Sequence, residues 1–205
     1  MDQTVDLRTR RKLQTEREIH RAALELFEQQ GVRATTVPEI AARAGVSPRT
    51  FFRYFSTKEE AALPIQRTMA RAIDRVEFSA SEPTAVLETV EDMMEATLSE
   101  PAASEIEDHR RISRLLARDP EFTVAATGEE KELLERLLDR LREQLPDYAG
   151  LQGLLICETA LMGWHVAWRQ WGEQAIQGTV KEPVDVYREC RAQLRSIVGT
   201  GLLRR

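Results

Sequence analysis

Apolar residues recur along this chain at spacings of three and four, and the runs that keep this rhythm are divided by glycine, proline and capping residues. Ile19, Ala23, Leu26 and Phe27 share one helical face, and Gly31 follows as the stop of a first helix. Thr36 and Glu39 stand at capping-box spacing ahead of Ile40, Ala41 and Ala44. Gly45 sits where a residue of positive φ ends a helix. Ser47 caps again, with Pro48 at the first helical position. The helix it opens carries Arg49, Thr50, Phe51, Phe52, Arg53, Tyr54 and Phe55, of which Phe51 and Phe55 are expected in the core. Two capped helices about a short glycine turn predict a helix-turn-helix.

The same reading carries on to the C-terminus. Ser56 and Glu59 predict a capping box and a helix from near Thr57, with Ala62, Ile65, Met69, Ala72 and Val76 as its seam. Pro64 interrupts that seam and reads either as a passive kink or as a hinge. A fifth helix follows Pro83 with Val86, Leu87, Val90, Met94 and Leu98 inward. A sixth, charged helix spans about Ser104 to Arg118. Asp119-Pro120 caps a seventh, whose apolar face is Leu134, Leu137, Leu138, Leu141 and Leu145. The eighth helix, about Ala149 to Gln177, is apolar nearly all round, as a helix buried on several sides would be. Gly153, Ile156, Ala160, Gly163 and Ala167 form a seam of mostly small residues on it. Trp164, Trp168 and Trp171 are read on the opposite side, beside His165. Pro183 opens a ninth helix with Tyr187, Cys190, Leu194 and Ile197 at 3-4-3 spacing. The expected fold is all-α, about nine helices: residues 1–58 a helix-turn-helix domain, residues 59–205 a helical regulatory domain.

Charge sharpens this division. The formal net charge of −5 hides a basic N-terminal part. Residues 1–58 hold eleven Lys/Arg and seven Asp/Glu, +4; the remainder holds eighteen and twenty-seven, −9. A basic module on an acidic body suits DNA at one end. Arg8, Arg10, Arg11 and Lys12 form a basic arm behind a frayed Met1–Asp6, read either as a solvated helix start or as a phosphate or minor-groove contact. Cys157 and Cys190 lie in helical patterns without a CxxC or Cys/His cluster, so free thiols in a reducing compartment are expected, and no zinc. The polar start and the lack of a long apolar run point to a cytoplasmic protein without a membrane partner. No cofactor is expected. A di-iron bundle would need Glu-x-x-His pairs, and Arg17, Ile106 and Met162 stand three before His20, His109 and His165. Enzyme chemistry therefore has no constellation to rest on.

The stretch TTVPEIAARAGVSPRTFFRYFSTKEE, with ALELFEQQGVRA before it, is similar to the DNA-binding helices of the TetR (tetracycline repressor-like) family of transcriptional regulators. The resemblance covers about Arg11 to Glu60, under a third of the chain. It implies phosphate contacts from Thr36, Tyr54, Lys58 and Arg53, and base reading by Arg49 and Thr50. An arginine can bond guanine, and a threonine methyl can meet a thymine methyl. Phe52 stands where many members have Tyr, so the apolar surface stays and a hydroxyl contact goes. Pro38 replaces a polar reader.

The resemblance further implies a body domain that senses a small molecule, with Met93, Met94, Leu98, Trp164, His165 and Trp168 as its expected lining. Each of these also reads as ordinary core, and His165 as a satisfied core histidine. The TFFRYF run resembles members that take acyl-CoA-like ligands. The two C-terminal seams, Gly153 to Ala167 and Tyr187 to Ile197, are expected to pair with their copies as a four-helix bundle. The expectation is thus a homodimeric repressor on a palindromic operator, released by a small apolar or acyl-CoA-like effector. The alternative is a helical interaction protein with a vestigial helix-turn-helix.

Overall fold

Every regular element among the described residues is helical, as the pattern of three and four requires. The structure is a computed structural model describing residues 7–79, 81–99, 103–178 and 181–202. The expected frayed start and the Arg8 side chain lie outside the described residues. In chain order the helices are α1 (Leu7–Ala34), α2 (Val37–Arg43), α3 (Pro48–Tyr54), α4 (Lys58–Ala62) and α5 (Pro64–Ile73). There follow α6 (Pro83–Leu98), α7 (Ala103–Arg118), α8 (Pro120–Gln144), a 3-10 turn (Pro146–Tyr148), α9 (Leu151–Ile176) and α10 (Pro183–Leu202). Contacts divide the chain into two units, Met1–Gln66 with Arg114–Glu129, and Arg67–Ser113 with Glu130–Arg205. The division expected after Lys58 follows the sequence alone, whereas contacts also group 59–66 and 114–129 with the helix-turn-helix.

The first unit is built on α1. Ile19, Ala23, Leu26 and Phe27 are buried as expected, and Phe27 meets Phe122 edge-on with ring centroids 5.7 Å apart. Gly31 adopts φ 81°, the left-handed region, so it breaks α1, but helical turns resume to Ala34. The caps of α2 and α3 form on Thr36 and Ser47, and Gly45 turns between them at φ 68°. Two expectations are corrected here. The cap of α4 is Thr57, not Ser56: its hydroxyl accepts from the Glu60 N–H at 2.9 Å, and the Glu60 carboxylate takes the Ser56 N–H at 2.6 Å. Pro64 does not kink a running helix. α4 ends at Leu63, whose φ/ψ of −118°/63° is not helical, and Pro64 starts α5. A proline tolerates a first-turn position because its missing N–H has no partner there anyway.

The second unit packs α9 against α10 and α6. Val86, Val90, Met94 and Leu98 line the inner face of α6, and Leu133, Leu137, Leu138 and Leu141 that of α8. Two glycines permit close crossings. A Cβ on Gly153 would lie 2.0 Å from the Tyr148 carbonyl oxygen, and one on Gly172 would lie 2.7 Å from Ser113 Oγ. The Tyr148 hydroxyl donates to the Ser81 carbonyl, fixing the 3-10 turn. Glu91, 2% exposed, is held by Arg195 at 2.8 Å and by Arg191 Nε at 3.0 Å, tying α6 to α10.

Candidate functional site

The helix-turn-helix has one face committed to the core and one to solvent. Phe51 and Phe55 are buried, and with Ile40 and Ala41 they lock α3 against α2. Arg49, Phe52 and Arg53 are exposed on the other side of α3, Phe52 by 59%. Arg53 lies over the Tyr54 ring at 5.1 Å, a cation–π contact that pre-orders both side chains. The Thr50 hydroxyl sits 3.0 Å from Ser47 Oγ, which itself accepts from the Thr50 N–H. With the hydroxyl engaged in the cap, the methyl is the part of Thr50 left for a base edge.

Two expected phosphate contacts are otherwise engaged. The Thr36 N–H and hydroxyl both donate to Glu39 Oε2 at 2.8 Å. The Thr36 hydroxyl, then its N–H, hold the Glu39 carboxyl below the ordinary range. A phosphate at this helix start would meet that carboxylate. Lys58 Nζ donates to the carbonyls of Val32 and Thr35 at 2.5 and 2.7 Å. It thereby joins the Thr35 N–H on the Val32 carbonyl and engages the Thr35 carbonyl just past the end of α1. Asp119, expected only as a cap, does more than cap α8: Oδ1 accepts from Glu121 and Phe122, and Oδ2 accepts from the Val32 N–H at 3.0 Å. The Val32 bond, followed by those of Phe122 and Glu121, outweighs burial and lowers the Asp119 carboxyl. Nothing local in the sequence announces that bond, because its partners are 87 positions apart.

In the second unit an aromatic chain runs along α9. Trp164 and Trp168 lie 5.7 Å apart, Trp168 and Trp171 5.6 Å, and Trp164 reaches Tyr187 at 6.0 Å. The Tyr187 hydroxyl lies 3.5 Å from Met94 Sδ, so Met94 joins the chain through it. Leu98 is buried and Met93 half-buried on the same α6. His109 of α7 stacks on Trp168 at 4.5 Å, and His165 lies 3.4 Å from Glu130 of α8. That His165 contact has ion-pair reach without hydrogen-bond alignment. Burial pushes His165 down and Glu130 up, so both charged forms are disfavoured there. His109, Glu130 and Trp171 were not among the expected lining. Trp171 has its indole N–H satisfied by the Lys181 carbonyl at 2.8 Å, and it braces the chain rather than offering a donor.

The residues of the expected dimer seam lie mostly inside the single chain. Gly153, Ile156, Ala160 and Ala167 are buried within the single chain, as is Tyr187, while Gly163 is half-buried. They are core because they share a hemisphere with the tryptophans. Gly153 and Trp171 are eighteen residues apart, about five turns at 3.6 residues each, and so fall on one line. The tryptophans are therefore beside the seam, not opposite it. The solvent face of α9 is Leu151 (72% exposed), Leu155 (56%), Met162 (48%) and Val166, interleaved with the exposed Glu158 and Arg169. These charges were the overlooked sign of which side faces outward. On α10, Cys190 and Leu194 are half-buried and Ile197 is exposed. The Cys157 thiol is buried, which pushes it up to about 12 and leaves it unreactive.

Residues 19–62 match the family profile of bacterial regulatory proteins, tetR family. Over 140 residues the chain is 35% identical to the HTH-type transcriptional regulator TcmR of Streptomyces glaucescens, covering 64% of this chain. It spans about 60% of the length of that curated relative. Among solved structures, the fatty acid degradation regulator FadR of Bacillus halodurans superposes with a TM-score of 0.49 at 19% identity, over 88% of this chain and 94% of that one. The FadR of Thermus thermophilus, a TetR family repressor solved with lauroyl-CoA, superposes at 0.45 and 22% identity, over 87% and 92%. The matched residues 19–62 hold the buried end of α1, both caps, the Gly45 turn and the half-exposed α3 described above, and on that sequence and local geometry residues 19–62 carry the module of the bacterial regulatory proteins, tetR family.

Proposed function

We propose that this protein is a ligand-responsive, DNA-binding transcriptional regulator that acts as a homodimeric repressor on a palindromic operator. The observation that carries the reading is the two-sided α3. Phe51 and Phe55 hold it in the core while Arg49, Phe52 and Arg53 stay exposed. An α-helix presented in this way fits a major groove, where arginine bonds guanine and apolar groups meet thymine methyls. Arg49 reads a base, the Thr50 methyl and Phe52 supply apolar contact, and Arg53 and Tyr54 bind phosphate.

The effector enters the region lined by Trp164, Trp168 and His165, with Met93, Met94 and Leu98 on α6. Aromatic and methionine side chains suit an apolar ligand. The resemblance of TFFRYF to acyl-CoA-binding members makes long-chain acyl-CoA the first effector to try. The dimer forms on the outer face of α9.

A gel-shift titration with DNA flanking the gene, and with duplexes selected from a random pool, tests this. Saturable binding that weakens steeply with salt is expected. Arg49→Ala should relax base preference at one position by about 1–3 kcal/mol. Binding that is neither saturable nor salt-sensitive would overturn the reading. Lauroyl-CoA and palmitoyl-CoA are then added to the complex. Release by either supports the acyl-CoA form, and release by neither overturns it.

A further inference from the structure

The peptide group of Val32 is gripped at both ends by charged side chains from distant parts of the chain. Its N–H donates to Asp119 Oδ2 at 3.0 Å, and its carbonyl accepts from Lys58 Nζ at 2.5 Å. Lys58 opens α4, directly after the recognition helix, and Asp119 is the corner between α7 and α8. The grip falls one residue past Gly31, where α1 has lost its helical φ. Glycine has no steric preference of its own, so the direction of this stretch rests on its bonds: the grip, together with Thr35, whose hydroxyl donates to the Gly31 carbonyl at 2.8 Å and whose N–H donates to that of Val32 at 3.2 Å. A Cβ at Gly31 would stand 3.8 Å from the same Asp119 oxygen, an ordinary contact, so it is the φ of 81° and not lack of space that calls for glycine.

We infer that Asp119, with Lys58, is a positioning residue for the helix-turn-helix, and that this clamp is where the state of the effector region acts on DNA binding. The inference rests on the DNA-binding reading above. Its physical basis is the course of two helices. The corner, 114–129, belongs to the first unit, and both helices go on into the second. There α7 carries His109, 4.5 Å from Trp168, and α8 carries Glu130, 3.4 Å from His165. A ligand that moves Trp168 or His165 therefore acts on the two helices whose junction holds Val32. A helix passes on a displacement because its turns are hydrogen-bonded along its length, and coupling of this kind works in both directions.

That reciprocity supplies a test without a known effector. All three tryptophans of the chain are on α9. Binding of the pool-selected duplex should shift their emission in the full-length protein. Asp119→Asn keeps an oxygen for the cap of α8 but turns an N–H toward Val32. This variant should still bind the duplex, several-fold more weakly, and lose the emission shift. Asp119→Ser, which can cap but is too short to reach Val32, should behave alike. Hydrogen exchange adds a DNA-free readout: the end of α1 should exchange about tenfold faster in both variants, the effect of losing one charge-assisted hydrogen bond. Unchanged exchange at Val32 overturns the clamp. A wild-type emission shift retained in both variants, or absent from a wild type that binds DNA, overturns the coupling. If the wild type binds no DNA, the functional reading and the coupling both fail, and exchange alone then decides the clamp.

Discussion

Lys58 shows how a single side chain changes meaning once its partners are known. In sequence it is a lysine just after a recognition helix, which suggests a phosphate. In the structure its ammonium closes two carbonyls at the end of α1, 2.5 and 2.7 Å away. Replacing it with methionine should lower stability in urea by about 2 kcal/mol, the scale of charge-assisted hydrogen bonds to a half-buried group. The slope of log affinity against log salt should stay as in the wild type. A slope smaller by about one would mean that Lys58 contacts phosphate in the complex. Thr36 makes the same point with a neutral side chain. Its cap is legible in the spacing to Glu39, but the same spacing brings a carboxylate onto both of its donors. Local motifs specify what a residue can do; long-range partners decide which of those things it does.

At the scale of elements, helix starts were the most legible feature, because caps and prolines act locally. Ser47-Pro48, Glu82-Pro83 and Asp119-Pro120 each open a helix where expected. The failures have physical causes too. Ser56 and Thr57 can both cap, and only the position of Glu60 chooses between them. On α9, an apolar residue on nearly every side gave periodicity little contrast, so the buried seam and the outer face were exchanged. The join between α6 and α10 was invisible in sequence, since it depends on carboxylates and guanidinium groups some hundred positions apart. Glu91 is its centre. Glu91→Ala should cost about 1–3 kcal/mol, because it removes the innermost partner of Arg191 and leaves that guanidinium on Glu95 and Asp92. Thermal unfolding followed by circular dichroism measures this. A loss below about 1 kcal/mol would show that Glu95 and Asp92, 2.7 and 2.9 Å from Arg191, suffice alone.

At the scale of the whole molecule, a single copy carries one reading helix, whereas a palindrome requires two, with half-sites ~34–36 Å apart. The pairing surface we propose is the outer face of α9. Leu151, Leu155, Met162 and Val166 form an exposed apolar stripe there, with Glu158 toward one end and Arg169 toward the other. In a two-fold interface each patch meets itself reversed. If two α9 helices cross antiparallel between Met162 and Val166, Glu158 of each copy faces the partner's Arg169. Met162→Glu should then give a monomer at micromolar concentration by light scattering. It should keep its helix content and bind operator at least tenfold more weakly, as burying an unpaired charge at the centre of an interface demands. The charges test the direction of pairing. Glu158→Arg and Arg169→Glu should each weaken the dimer through like-charge contacts, and the double variant should recover it. If Met162→Glu leaves the dimer intact, the stripe is not the interface. If the double variant is worse than either single one, the helices pair on this face in another register.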